Sequence, residues 1–205
     1  MNYIEIDTGA YPVSEAAIRA EYPDTSFPSP FVAPARFAPV FPAPQPPHNS
    51  ITHTVVETAP VETGKGHWEQ QWSVLALDAA AAEANIIAAR SRIWEAIKAE
   101  RERRSQYGGY KAAGKWFHSD TFSRSQQIGL VIMGANIPAG LQWKTMDGSF
   151  IEMTPALAQQ VFQAAAAQDG AIFQHAEQLR SWVDETPDPE VIDITSGWPE
   201  TFGGV

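Results

Sequence analysis

The sequence predicts an α+β protein, a small C-terminal module of helices and β-hairpins preceded by a β-hairpin and a Pro/Phe-rich extended N-terminal arm. Three observations lead there. Downstream of residue 50, stretches with helical apolar spacing alternate with short runs of period-two alternation closed by glycine turns. Across residues 27–47, FPSPFVAPARFAPVFPAPQPP, prolines recur at intervals of one to five residues, removing backbone donors and fixing φ. Asp147-Gly148, set between alternating runs, is the strongest short-range hairpin signal in the chain. The boundaries read this way are an arm over 1–50, a hairpin over 51–77, an α+β module over 78–198 and a tail over 199–205.

Composition bounds the function. The 205 residues are 44% hydrophobic, enough for one modest core. A formal charge of −10 argues against a nucleic-acid partner, because phosphate binders gather Lys and Arg on one face. The absence of cysteine removes disulfides, thiolate nucleophiles and Cys-based zinc sites. The N-terminal MNYIEIDTGAYP carries acids where a signal peptide carries Lys or Arg, and no run reaches the roughly 18 apolar residues of a membrane span. The expectation is a soluble protein not exported through a cleaved signal.

In chain order, YIEID at residues 3–7 alternates as a short strand or docking arm. Ser14 caps a short helix that Pro23 ends. The proline-rich segment reads as polyproline-like and, at about 3.1 Å per residue, reaches roughly 60 Å. Its interleaved Phe27, Phe31, Phe37, Val40 and Phe41 favour an arm laid on its own protein or on a partner over a bare spacer, since a linker has no reason to show rings to water. Residues 51–77 read as a hairpin turning at Gly64 and Gly66, with Trp68 and Trp72 on one face of its second strand. Phe27, Phe31, Phe37, Val40, Phe41, Trp68 and Trp72 are therefore the candidate partner-binding residues.

Asp78 caps a long helix whose apolar stripe, Ile86, Ile93 and Ile97, fades into an Arg-rich end interleaved with Glu100 and Glu102. Gly108 and Gly109 end it. Tyr110, Trp116 and Phe117 supply strands around a turn at residues 112–114. Gly109, Gly114 and Lys115 mimic phosphate-loop spacing, but Trp116 replaces the hydroxyl residue that would hold magnesium, and no apolar strand feeds the loop. Asp120 caps a helix in which Phe122, Ile128, Val131 and Ile132 read as largely buried, leaving Arg124 at a surface or interface. Leu141, Trp143 and Thr145 alternate into the Asp147-Gly148 turn, and Phe150 and Ile151 return. Thr154-Pro155 opens the last helix, with Gly170 its weakest interior position. The remainder is a loose acidic tail in which Val191, Ile194 and Trp198 offer docking groups.

Searches for chemistry return little. His48, His53, His67, His118 and His175 fall in separate elements without metal-ligand spacing, and no G-x-S-x-G elbow occurs. The reading is non-enzymatic, with no metal and no cofactor. The seven tryptophans sit where strands and helices need large apolar anchors, which favours core or interface over a carbohydrate platform.

The order ERERRSQYGGYKAAGKWFHSDTFSRSQQI, then LQWKTMDGSFIEMT, then a helix and IDITSGWP resembles the uncharacterised C-terminal domain of bacteriophage tail-fibre and tail-fibre-assembly proteins. It spans about half of the chain, from near Asp78 to Trp198. The matching positions are Arg104, Gly109, Phe117, Ser119, Asp120, Ser123, Arg124, Trp143, Asp147 and Gly148. The segment VETAPVETGKGHWEQQWSVLAL is also similar to the hairpin that precedes this domain in tail proteins. The resemblance implies a structural component that attaches to or caps tail-fibre, tail-tip or baseplate subunits in a symmetric assembly. Its place would be the virion tail, and the host cytoplasm during assembly. The alternatives are a tail-fibre assembly chaperone and a glycan-binding or glycan-cleaving accessory protein.

Overall fold

The computed structural model describes residues 1–204. The fold is α+β and divides into two compact units, Met1–Asn85 and a second beginning at Ile86.

The first unit is built on a five-stranded sheet. β1 (Asn2–Glu5) pairs antiparallel with β2 (Val13–Ser14) on one side and with β3 (Phe37–Phe41) on the other. β4 (His53–Gly64) and β5 (His67–Ala76) form an antiparallel hairpin joined to β3 through a short parallel pairing. The strand order is therefore β2-β1-β3-β5-β4. Ser14 caps α1 (Glu15–Glu21), its side chain accepting from the Ala17 amide, and α1 packs Ile18 beneath the sheet with Tyr3 and Phe37.

The proline-rich stretch differs here from the extended arm of the sequence reading, because its apolar side chains find partners within the unit. Pro39 lies opposite Tyr3, and pairing with β5 begins only at the next residue, Val40 opposite Trp68. The ladder is thus arranged around the missing donor. Past Phe41, side chains take over from the interrupted backbone. The Ala43 amide donates to the Gln70 side chain at 3.3 Å, and the Trp72 indole donates to the Ala43 carbonyl at 2.8 Å. Arg36 ties the entry of β3 to Glu5 and Glu21.

The second unit contains most of α2 (Ala79–Tyr107), a helix that begins in the first unit, where Asp78 accepts from the Ala81 amide. Gly108 and Gly109 turn the chain into β6 (Tyr110–Ala112), which pairs with β7 (Lys115–Phe117). Gly109 has φ +70°, and a Cβ there would lie 2.3 Å from the Met146 sulfur and 2.9 Å from the Phe117 carbonyl. Both the turn and the close approach require glycine. α3 (Thr121–Met133) follows and runs into a short 3-10 turn, after which β8 (Gln142–Lys144) and β9 (Phe150–Glu152) form the second small hairpin. α4 (Pro155–Glu185), capped by Thr154, runs through Gly170 without a break.

Two clusters fill this unit. Tyr110, Phe117, Leu130, Met153, Leu157 and Val161 form one, and Ile97, Ala176, Leu179 and Val183 the other. Ile192, Ile194 and Trp198 of the C-terminal segment cover the second cluster, with His175 edge-on to Trp198 at 4.7 Å. The acidic tail is docked along much of its length, although Val191 itself is exposed.

Phe37 is buried in the first unit's core, so Phe37→Ala should cost about 3 kcal/mol or more in urea denaturation. Deletion of residues 27–47 should abolish the first unit's cooperative unfolding transition, because β3 links the two halves of its sheet.

Candidate partner-binding surface

The sequence-nominated residues are largely consumed by the first unit's own packing. Phe37 and Val40 are buried, and Phe27 and Phe31 pack half-buried against the cluster of Tyr3, Ile18 and Phe37, with the Arg19 guanidinium over both rings. Trp68 packs on Ile4, Ala38 and Val40. Trp72 is half-buried, its indole spent on Ala43. Phe41 is the most open of the seven and stacks on the His67 ring at 4.5 Å. The structure therefore does not bring them together as one outward-facing surface.

The outward apolar surface lies on α3, where the sequence reading placed core. Phe122 is 72% and Ile132 80% exposed, with Ile128 and Met133 also open, while Gln127 and Leu130 face inward. The helix buries Gln127 beside Leu130 and displays Phe122, Ile128 and Ile132, large apolar side chains that ordinarily pack inward. The cause is a set of bonds made by Arg124 and Gln127. Arg124 grips both carboxylate oxygens of Asp169 on α4, at 2.5 and 2.8 Å. It also donates to the Ser119 carbonyl at 2.6 Å and to the Ser105 carbonyl of α2 at 3.0 Å. Its guanidinium lies over the Tyr110 ring, and Asp169 raises its pKa further. Gln127 accepts from the Tyr110 hydroxyl and donates to the His118 carbonyl. Burial pushes the Tyr110 pKa up to about 12, so the phenol stays protonated as the donor. With both polar side chains satisfied inside, the opposite face of α3 turns to solvent.

The start of α3 is held just as firmly. The Asp120 carboxylate accepts from the Ser123 amide at 3.0 Å and the Ser123 hydroxyl at 2.6 Å, bonds that lower its pKa. The Ser119 hydroxyl accepts from the Gly109 amide at 3.0 Å. Beside α3, Phe162 of α4 is also open. A notch of about 70 Å³ is lined by Tyr110, Arg124, Gln127, Ile128, Phe162 and Ala165, room for one inserted apolar side chain. The signal that would have found this face is the spacing of Arg124, Gln127, Leu130 and Val131, a helical stripe as regular as that of Phe122, Ile128 and Ile132.

The Asp147 turn anchors the other hairpin. Its carboxylate accepts from Ser149, Thr145 and Lys115, which hold it well below the usual carboxylate range. Lys115, read as part of a phosphate-loop mimic, is spent on this turn. Among the described residues no group of three or more His, Asp or Glu side chains is placed to hold a metal ion, and no helix is long and apolar enough to cross a membrane.

Residues 88–196 match the family described as Domain of unknown function (DUF4376). No curated protein and no solved structure matches the chain.

Arg124→Ala should destabilise the second unit by about 2 kcal/mol, the scale of lost charge-assisted hydrogen bonds, and Asp120→Ala by about 1 kcal/mol through the lost cap. Urea denaturation measures both. The Asp120 and Asp147 carboxyls titrate below their unfolded values. The stability they contribute is therefore complete above the ordinary carboxylate pKa of about 4 and is lost as pH falls through the lowered values. Melting temperature followed from neutral pH into this acid range should fall less steeply in Asp147→Asn than in the wild type.

Proposed function

The chain belongs to the DUF4376 family, and on that premise we propose that it is a non-enzymatic component of a bacteriophage tail, docked to tail-fibre, tail-tip or baseplate subunits through the outer face of α3. The observation that carries the docking assignment is the open apolar face of α3, where the bonds of Arg124 and Gln127 on the inner side hold Phe122, Ile128 and Ile132 in water. Such a face is costly to leave uncovered and marks a protein interaction site.

The tail assignment rests on the resemblance of the second unit to tail-fibre-associated domains. The positions that carry it have structural work here. Arg104 bonds Glu100 and covers the Trp198 ring, Gly109 admits Met146, Phe117 is core, and Ser119, Asp120, Ser123 and Arg124 build and orient α3. Asp147 and Gly148 close the β8–β9 turn. A chain sharing these positions would share the presentation of α3, while the outward residues set which subunit it fits.

The test is affinity capture from phage-infected cells, together with mass spectrometry of purified virions. The wild-type chain should co-purify with tail subunits and be present in virions at fixed stoichiometry. A Phe122→Asp, Ile132→Asp double variant, with both side chains already exposed, should melt like the wild type and bind at least about tenfold more weakly. Undiminished capture by the folded variant would reject the α3 face. Absence of the chain from both virions and tail-subunit complexes would reject the tail assignment.

A further inference from the structure

We infer that the outer edge of β4 pairs with the same edge of a second copy of the chain, joining two sheets across a twofold axis at Val56. β4 is the last strand of its sheet. It has twelve residues, against two in β2 at the opposite edge and three in each strand of the small hairpins. Among the described residues it is the one long strand edge. Such an edge leaves backbone donors and acceptors without a ladder, and folded proteins ordinarily blunt it with proline, bulges or lysine.

β4 is blunted over part of its length only. Pro60 and the register shifts between Thr58 and Val61 and between Glu62 and Gly64 break up its second half. From His53 to Thr58 the register against β5 is regular, and the run holds no proline and no lysine. The start of the ladder gives its phase. The Leu77 amide donates to the Thr52 carbonyl at 2.9 Å. Alternation in an antiparallel pair then directs the backbone groups of Thr54, Val56 and Thr58 toward β5 and those of Val55 and Glu57 outward. His53 agrees with this phase, its amide donating away from β5 to the Asn49 carbonyl at 2.8 Å. Among the described residues, nothing in the chain meets the outward N–H and C=O groups of Val55 and Glu57.

A second copy fits because the open run is its own complement. Val56 lies midway between the two residues with open groups. Antiparallel pairing about it sets Val55 opposite Glu57 of the second copy, and Glu57 opposite its Val55, so every open group finds a mate. The same register sets Thr54 against Thr58 of the second copy and Val56 against its own counterpart, cross-strand pairs that stabilise sheets. It also keeps the Glu57 carboxylates apart. Each incoming Val55 side chain then lies beside a cleft of about 250 Å³ lined by Gly9, Tyr11, Pro12, Glu57, Thr58 and Ala59. Glu57 is the only charged side chain of the run and already accepts from the Tyr11 hydroxyl, which leaves little to select a foreign strand. The contact is isologous and closes as a dimer. It does not involve α3 and does not depend on the tail assignment.

The chain has no cysteine, so a single introduced thiol reports the axis. Val56→Cys sets two thiols on a non-hydrogen-bonded pair with Cα atoms about 4.5 Å apart, within disulfide reach, and should give a covalent dimer on mild oxidation. Thr54→Cys, roughly 13 Å from its counterpart by strand rise, should not. In sedimentation equilibrium the full chain should show a monomer–dimer equilibrium. With a net charge of −10 on each copy, that equilibrium should tighten as sodium chloride rises, the opposite of binding a basic partner. Val55→Pro removes an outward donor and spares the ladder to β5, and should weaken the dimer at least about tenfold. Val56→Lys, which opposes two ammonium groups at the axis, should do the same, and a melting curve shows that each variant is folded. The Phe122→Asp, Ile132→Asp double variant should dimerise like the wild type, which keeps this edge distinct from the α3 face. A wild-type chain that stays monomeric at about 100 μM in high salt would overturn the inference. So would a Thr54→Cys dimer formed as readily as that of Val56→Cys, undiminished association of folded Val55→Pro, or loss of the dimer in the α3 double variant.

Discussion

The second unit turns on the Arg124 side chain. One guanidinium satisfies a carboxylate on α4, the carbonyl that precedes α3 and a carbonyl on α2, so three helices are referenced to one planar group. Arg suits this position because its donors lie in a fixed fork, which a lysine cannot reproduce. Gln127, one turn further on, repeats the device with neutral partners. The resulting rotation of α3 determines which side chains reach the core and which reach water, and the proposed docking face follows from it.

Local chemistry was legible in the sequence. Asp78, Asp120 and Thr154 cap their helices, and Ala113 and Gly114, both with positive φ, close the β6–β7 hairpin. These features depend on neighbours a few residues away. The rotation of α3 was not legible, because two stripes with helical spacing run along it, one mixed and one apolar. Turning Arg124 inward is favourable only once Asp169 and Ser105, distant in sequence, stand beside it. Periodicity chose the more apolar stripe and assigned Phe122 and Ile132 to the core.

The proline-rich segment shows the same limit. Read locally, its residues exclude helix and discourage strand. The partners that make β3 possible are β1, more than thirty residues upstream, and β5, in a parallel pairing that no local turn announces. The aromatic spacing did carry a signal that these side chains belong on a surface. That surface is supplied within the first unit, by Tyr3, Ile18, Ala38 and neighbours, so the residues nominated for an external partner are mostly internal.

An open apolar helix face on a small protein invites self-association, and the chain's acidity bears on that hazard. With a net charge of −10, two copies approaching each other meet mutual repulsion that extends about a Debye length, near 10 Å at ordinary ionic strength. A partner carrying positive charge around its receptor groove would meet attraction instead. Coulombic discrimination of this kind would favour a basic partner over a second copy in dilute buffer, and concentrated salt, by collapsing the ionic atmosphere, would weaken that preference.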